Sequence, residues 1–209
     1  MMLITSSFFE AKMYSELSKK LTNIFIKNNI IKEEQTMIFN YCFEVIISDV
    51  VYLTVFMSLS LITHSLIESL CFILGFILIR QTAGGYHASN YTKCHLLFSL
   101  NQIFMILCVK FINKKNIEYL VLIFLLTSIV VVFIFAPIKN KKNKHSVKQI
   151  KKLYYISRLL VLSILALTIV LKFVNKVNSV YFLSFMFGVF SVSISIIIEK
   201  TKERRYKIE

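Results

Sequence analysis

Charged residues are scarce in this 209-residue chain: they make up 17% of it and fall in blocks. Between the blocks lie long apolar runs, and hydrophobic residues reach 56% with a mean hydropathy of +0.69. Soluble domains sit near about 45–50% apolar. The runs therefore exclude the single soluble domain that the length alone would allow. Acidic residues are scarcer than basic ones, 11 against 25, for a formal net charge of +14. Such an excess suits nucleic acid, an anionic membrane surface or an acidic partner. Here the basic residues flank apolar segments, which is how a membrane protein encodes its topology. No basic and aromatic platform for single strands is visible, so nucleic acid is not an expected partner.

The four cysteines, Cys42, Cys71, Cys94 and Cys108, form no CxxC pair, which argues against a zinc ribbon or a redox motif. Cys42, Cys71 and Cys108 lie in apolar stretches and read as small hydrophobes. Cys94 has polar neighbours. The first 35 residues mix Lys12, Lys19, Lys20 and Lys27 with Glu10 and Glu16. They show no small-residue cleavage site after an apolar core, so no signal peptide is read there. No internal repeat is visible.

The expected fold is an all-α membrane protein with about six transmembrane helices and an N-terminal amphipathic interfacial helix. Residues 8–31 carry Phe8, Met13, Leu17, Leu21, Ile24 and Phe25 at helical spacing, with lysines between. This reads as a helix at the membrane interface or as an ordinary cytoplasmic helix. Six apolar segments follow, at 37–63, 65–79, 96–112, 117–136, 153–174 and 180–198. A spanning helix needs about 20 residues, so 65–79 is short enough to be re-entrant; it is kept as a span because the charges then balance. With the N-terminus inside, 20 of the 25 Lys and Arg fall on the cytoplasmic side, as positive residues prefer. The chain thus divides into an interfacial segment at 1–36, a polytopic membrane domain at 37–198 and a basic cytoplasmic tail at 199–209. Within the membrane domain lie a polar loop at 80–95 and a basic loop at 138–152. Pro137, the sole proline, is expected to end the fourth span.

Residues 80–95, RQTAGGYHASNYTKCH, form the longest polar interruption between the first four apolar segments. Two of the four glycines, two of the four histidines and Cys94 lie in it. Ionisable groups at a membrane boundary are a functional signal. A cysteine nucleophile needs a thiolate and a base, and His87 and Cys94 supply both types. On one straight helix their Cα atoms would be about 10.5 Å apart along the axis, too far for an ion pair. His87 is therefore expected on a loop that folds back. Cys94 is expected in the first turns of the third span, behind a cap at Ser89 or Asn90, where the helix dipole favours a thiolate. Gly84 and Gly85 permit the chain reversal, and their N–H groups are candidates for an oxyanion hole. The competing readings are a capping histidine beside an inert cysteine, and a metal site from His87, Cys94 and His95. The latter lacks a fourth ligand and a recognisable spacing, so no metal and no cofactor are expected.

With Arg80, then AGGYH at 83–87, then Cys94 seven residues after the histidine, the sequence resembles the AgrB family, the membrane peptidases of accessory gene regulator quorum sensing. The Ala136-Pro137 pair before a lysine-rich loop, the length, the amphipathic start and the six-segment layout match as well. The resemblance implies that His87 and Cys94 act as catalytic base and nucleophile, supported by Arg80 and Gly85. It implies an AgrD-like propeptide as substrate, cut before its acidic tail and closed into a thiolactone or lactone autoinducing peptide, and it implies a homodimer. One departure is Cys42 after Tyr41, where many members carry glycine; it does not touch His87 or Cys94.

KNKKNK at 139–144 offers Lys139, Lys141, Lys142 and Lys144 either to the acidic tail of the substrate or to topology alone. Glu44 and Asp49 are carboxylates inside the first apolar segment, where unpaired charge is costly. Five residues apart, they lie about 140° apart around a helix, so both cannot face one point. Glu44 is the first choice to orient His87 or to pair with Arg80. His64 and His145 read as loop histidines. The location expected is a bacterial cell membrane, with both termini and the catalytic residues on the cytoplasmic side and the bilayer as a partner. Two rival functions remain: a small transporter, compatible with Glu44 and Asp49 but without repeats or broken helices, and a non-catalytic membrane scaffold.

Overall fold

The computed structural model describes residues 2–86, 91–138, 147–174 and 179–205. They form seven α-helices and no strand: α1 Met2–Lys27, α2 Thr36–Ile62, α3 Leu66–Ala83, α4 Tyr91–Phe111, α5 Lys114–Phe135, α6 Val147–Val174 and α7 Ser179–Arg205. Six helices, α2 to α7, are long and apolar enough to cross a membrane. Large apolar side chains such as Ile62, Leu100, Leu122 and Ile134 stay exposed along them. Lipid rather than water accounts for such surfaces. The chain is a multi-pass membrane protein.

Two compact units are present, residues 1–62 with 88–100, and 63–87 with 101–209. In the first, α1 packs on α2. The buried face of α1 is Tyr14, Ser18 and Thr22 at four-residue spacing. The Ser18 and Thr22 hydroxyls donate to the carbonyls of Ser15 and Ser18 in their own helix, at 3.0 and 2.9 Å. Small, internally satisfied side chains let α1 lie close to α2. Met13, Leu17 and Ile24 stay on the outside, as an interfacial helix requires. The helix ends at Lys27 rather than near residue 31, because Asn29 takes a left-handed φ of 56°. The Ile30 N–H then closes back on the Phe25 carbonyl at 3.0 Å, a Schellman-type stop.

The second unit is built on α7, whose neighbours are α3 and α5; α6 packs on α3 and α5 in turn. At the α3–α7 crossing each helix offers a glycine to the backbone of the other. A Cβ at Gly75 would strike the Phe185 carbonyl, and one at Gly188 would strike the Phe72 carbonyl. In lipid, where no apolar solvent effect drives helices together, such close approach supplies the packing energy. Phe187 extends it, its ring lying 6.1 Å from Phe72, 5.8 Å from Phe104 and 5.6 Å from Phe124. Polar side chains inside are mostly serines bonded to their own helix, such as Ser184 to the Val180 carbonyl and Ser191 to the Phe187 carbonyl. Gln102 crosses from α4 to Ser69 of α3 at 3.2 Å.

The segment expected at 65–79 is an 18-residue helix, because Arg80 to Ala83 continue it. Its length of about 27 Å nearly matches a hydrocarbon core of about 30 Å. The polar stretch at 80–95 is likewise helical at its far end, since α4 begins at Tyr91. Hydropathy marks where lipid ends, whereas a helix runs on while its backbone bonds are satisfied. Helix α5 stops at Phe135, with Ala136 extended before Pro137, as the proline predicts. His64 sits in the α2–α3 turn with a φ of 52°; His145 lies outside the described residues.

The glycine crossing yields a stability prediction. Gly75→Ala and Gly188→Ala should each lower the midpoint of SDS-induced unfolding in mixed micelles, by about 1–3 kcal/mol of overpacking. Leu100→Ala, on an exposed face, should stay within about 0.5 kcal/mol. Unchanged midpoints for both glycine variants would contradict the crossing.

Candidate active site

In the second unit, the end of α3 is tied to α7. Gly84 caps α3 with a φ of 76°, and its N–H donates to the Arg80 carbonyl at 3.1 Å. Gly85 follows with a φ of 141°. A Cβ there would overlap the Arg80 guanidinium and the Ser195 hydroxyl. Both conformations favour glycine, which is why the pair reverses the chain here. Tyr86 then lies along α7: its N–H donates to the Ser195 carbonyl at 3.1 Å. Arg80 clamps the same peptide from behind. Its Nη2 donates to the Tyr86 carbonyl and its Nη1 to the Ser195 hydroxyl at 3.3 Å. The Lys202 ammonium stands 5.4 Å from the centre of the Tyr86 ring, within cation–π range. On the other side, the Ile138 N–H donates to the Ala83 carbonyl at 3.1 Å, joining the α5 exit to the α3 exit. Every bond in this clasp fixes the chain up to Tyr86, the residue before His87. His87 itself, with Ser89 and Asn90, lies outside the described residues.

In the first unit, Cys94 occupies the first turn of α4 and is exposed. The first four N–H groups of a helix lack partners within it and favour negative charge nearby. Opposite the start of α4, helix α2 carries Glu44, Ser48 and Tyr52 at four-residue steps, a stripe that drifts by only about 80° around the helix. The Ser48 Oγ and His95 Nε2 are 3.1 Å apart. The Tyr52 ring lies 5.3 Å from the His95 ring and edge-on to Phe98 at 5.1 Å. Phe98 is one turn beyond Cys94 on the same face of α4, and His95 is the chain neighbour of Cys94, so the Tyr52 ring packs on both residues that flank Cys94 on that face. The Tyr52 hydroxyl is buried without a hydrogen-bond partner among the described residues, and so is Asn40 Oδ1. Glu44, partly buried, stands one turn from Ser48 on the stripe, whereas Asp49 is exposed on another face. The two carboxylates are thus separated as their spacing requires.

Of the residues singled out from the sequence, Arg80, Gly84 and Gly85 come together with Ser195. Cys94 belongs to α4 and Glu44 to α2. Lys139, Lys141, Lys142 and Lys144 lie outside the described residues. The Gly84 N–H is engaged in capping α3. Among the described residues no group of three or more His, Cys, Asp or Glu could hold a metal ion. Sequence reasoning missed Ser48 and Tyr52 on one side and Tyr86, Ser195 and Lys202 on the other, and weighed His95 only as a metal ligand. The stripe had a signal, polar residues every fourth position in an apolar helix. Ser195 had none, being one of many serines.

The pattern of a protein family described as Accessory gene regulator B matches residues 18–196. The chain is similar to Accessory gene regulator protein B of Staphylococcus epidermidis, 29% identical over 140 residues that cover 66% of this chain and 68% of the relative. It is similar to a Putative AgrB-like protein of Clostridium beijerinckii, 27% identical over 135 residues, 63% of this chain and 66% of the relative. No solved structure matches.

The clasp predicts a local opening. Arg80→Ala removes a charge-assisted bond of the kind worth about 1.5–3 kcal/mol. Chymotrypsin cleavage after Tyr86 in detergent should then rise about ten- to a hundredfold. An unchanged cleavage rate would show that the peptide is held by something else.

Proposed function

The chain belongs to the Accessory gene regulator B family, and from that membership we propose that it is a membrane-embedded cysteine endopeptidase of quorum sensing. Its substrate is an AgrD-like propeptide, cut before the acidic tail and closed into a thiolactone or lactone. The observation that carries the reading is Cys94, exposed in the first turn of a spanning helix, in a chain whose family match covers it and Arg80 to His87 alike. The clasp that ends at Tyr86 supports a positioned His87.

His87 takes the Cys94 thiol proton, and the sulfur attacks the scissile carbonyl carbon. The tetrahedral oxyanion collapses, the C–N bond breaks, and the tail leaves as an amine with the proton from His87. A thioester on Cys94 remains. The propeptide's own thiol or hydroxyl attacks it, loses its proton to His87 and closes the ring. Cys94 leaves as thiolate and is reprotonated. Exchange of one thioester for another is nearly balanced, whereas hydrolysis is downhill. Water must therefore be kept out and the internal nucleophile held close, which a site at the lipid boundary favours. The termini and the site face the cytoplasm in this reading, because 20 of the 25 Lys and Arg then do. The chain acts as a homodimer, an expectation taken from the family. Lys139, Lys141, Lys142 and Lys144 attract the acidic tail, so raised salt should weaken substrate binding; binding indifferent to salt would remove that role.

The substrate probe, the neighbouring-gene peptide, is to be sought among the reading frames beside this gene as a short peptide with an amphipathic start, a central Cys and an acidic tail. Incubated with the protein in liposomes and read by mass spectrometry, it should lose its tail. Cys94→Ala and His87→Ala should each reduce cleavage by more than about a thousandfold. Cleavage by a folded Cys94→Ala variant would return the chain to the transporter or scaffold readings. Glu44 is assigned to orient His87. Glu44→Gln should lower the rate about ten- to a hundredfold, with Asp49→Asn within about twofold; the reverse order would move the role to Asp49.

A further inference from the structure

An acyl-transfer site needs a donor for the oxyanion as well as a nucleophile and a base. The Gly84 N–H is spent on the end of α3. Around Cys94, the Ser48 hydroxyl is engaged with His95. A side-chain donor carried by the α2 face that meets α4 is the Tyr52 hydroxyl, which could act beside the open N–H groups of the α4 start. It is buried and has no hydrogen-bond partner among the described residues. Its ring is held between His95 and Phe98, at 5.3 and 5.1 Å, so the oxygen has little freedom to turn elsewhere. Buried donors are costly to leave unpaired, and nearly all are paired in folded proteins. An exception beside a candidate nucleophile, rigidly mounted, has the character of a donor kept for a ligand.

We propose that Tyr52 is a catalytic residue whose O–H donates to the oxyanion formed when Cys94 attacks the propeptide carbonyl. The inference rests on the peptidase reading above. In the ground state a carbonyl oxygen accepts weakly. As the C–S bond forms, the charge moves to that oxygen, and a fixed donor out of water then binds it more strongly. The hydroxyl keeps its proton throughout, so no further group is consumed or released.

Tyr52→Phe removes the oxygen and keeps both ring contacts. The full-length variant in liposomes is compared with wild type in two assays: tail cleavage of the neighbouring-gene peptide, and alkylation of Cys94 by iodoacetamide followed on the Cys94 peptide by mass spectrometry. The expected result is a fall in kcat of about 10²–10³-fold with little change in KM and an unchanged rate of Cys94 alkylation. A purely structural role would change alkylation as well. Cleavage within about twofold of wild type overturns the inference, and so does a parallel loss of alkylation, which would assign Tyr52 to the thiol or to packing. Cys94→Ala is run alongside. If it cleaves like wild type, the peptidase reading falls and this inference with it. If it is inactive while Tyr52→Phe is active, only the inference falls.

Discussion

The α3–α7 crossing, backbone against backbone through Gly75 and Gly188, sets the position of nearly everything else in the second unit. Neither glycine tolerates a side chain, since the space a Cβ would need is filled by the Phe185 and Phe72 carbonyls. With α3 and α7 locked at that point, Ser195 arrives beside the end of α3, where Arg80 and Gly85 meet it. A shift of either helix would part Tyr86 from the Ser195 carbonyl. Around the crossing the interior is apolar, with Ile79, Leu125, Leu183, Met186 and Ile196 buried and serines bonded to their own helices between them. Other leucines and isoleucines face outward, where lipid rather than water accounts for them. Small residues allow the closest approach of helices and large ones fill the space around it.

The same physical economy shapes the site. A spanning protein can place irregular backbone only where partners satisfy it. The turn after α3 meets that condition at several groups: the N–H groups of Gly84, Tyr86 and Ile138 have acceptors, and Arg80 covers the Tyr86 carbonyl. The backbone up to Tyr86 thus avoids the cost that a free loop would carry at a membrane boundary. The start of α4 is supplied differently, from a polar stripe on α2 that reaches its first turn through Ser48 and Tyr52.

Much of this was legible in the sequence, and the reasons are particular. Six spans followed from run length, and the end of α5 followed from Pro137. Cys94 in a first turn followed from its place just before an apolar run, and the reversal at Gly84 and Gly85 from the pair itself. The extent of α3 was not legible, because Arg80 to Ala83 are polar or small yet complete a helix. The buried face of α1 was misleading, since Ser18 and Thr22 pack inward while Leu17 and Ile24 do not. The partners Ser195 and Tyr52 are set by which helices pack together, and a single sequence carries no record of that. The AGGYH motif identified the family without revealing what holds it in place.

The central claim is that a covalent thioester forms on Cys94. It is tested most directly with the neighbouring-gene peptide in which the internal cysteine is replaced by alanine, so that ring closure cannot discharge the enzyme. After brief incubation in liposomes and acid quench, intact-mass and peptide mapping should find the propeptide fragment attached at Cys94, released by neutral hydroxylamine. Tail cleavage without any adduct on Cys94, or with the adduct on another residue, would contradict the account.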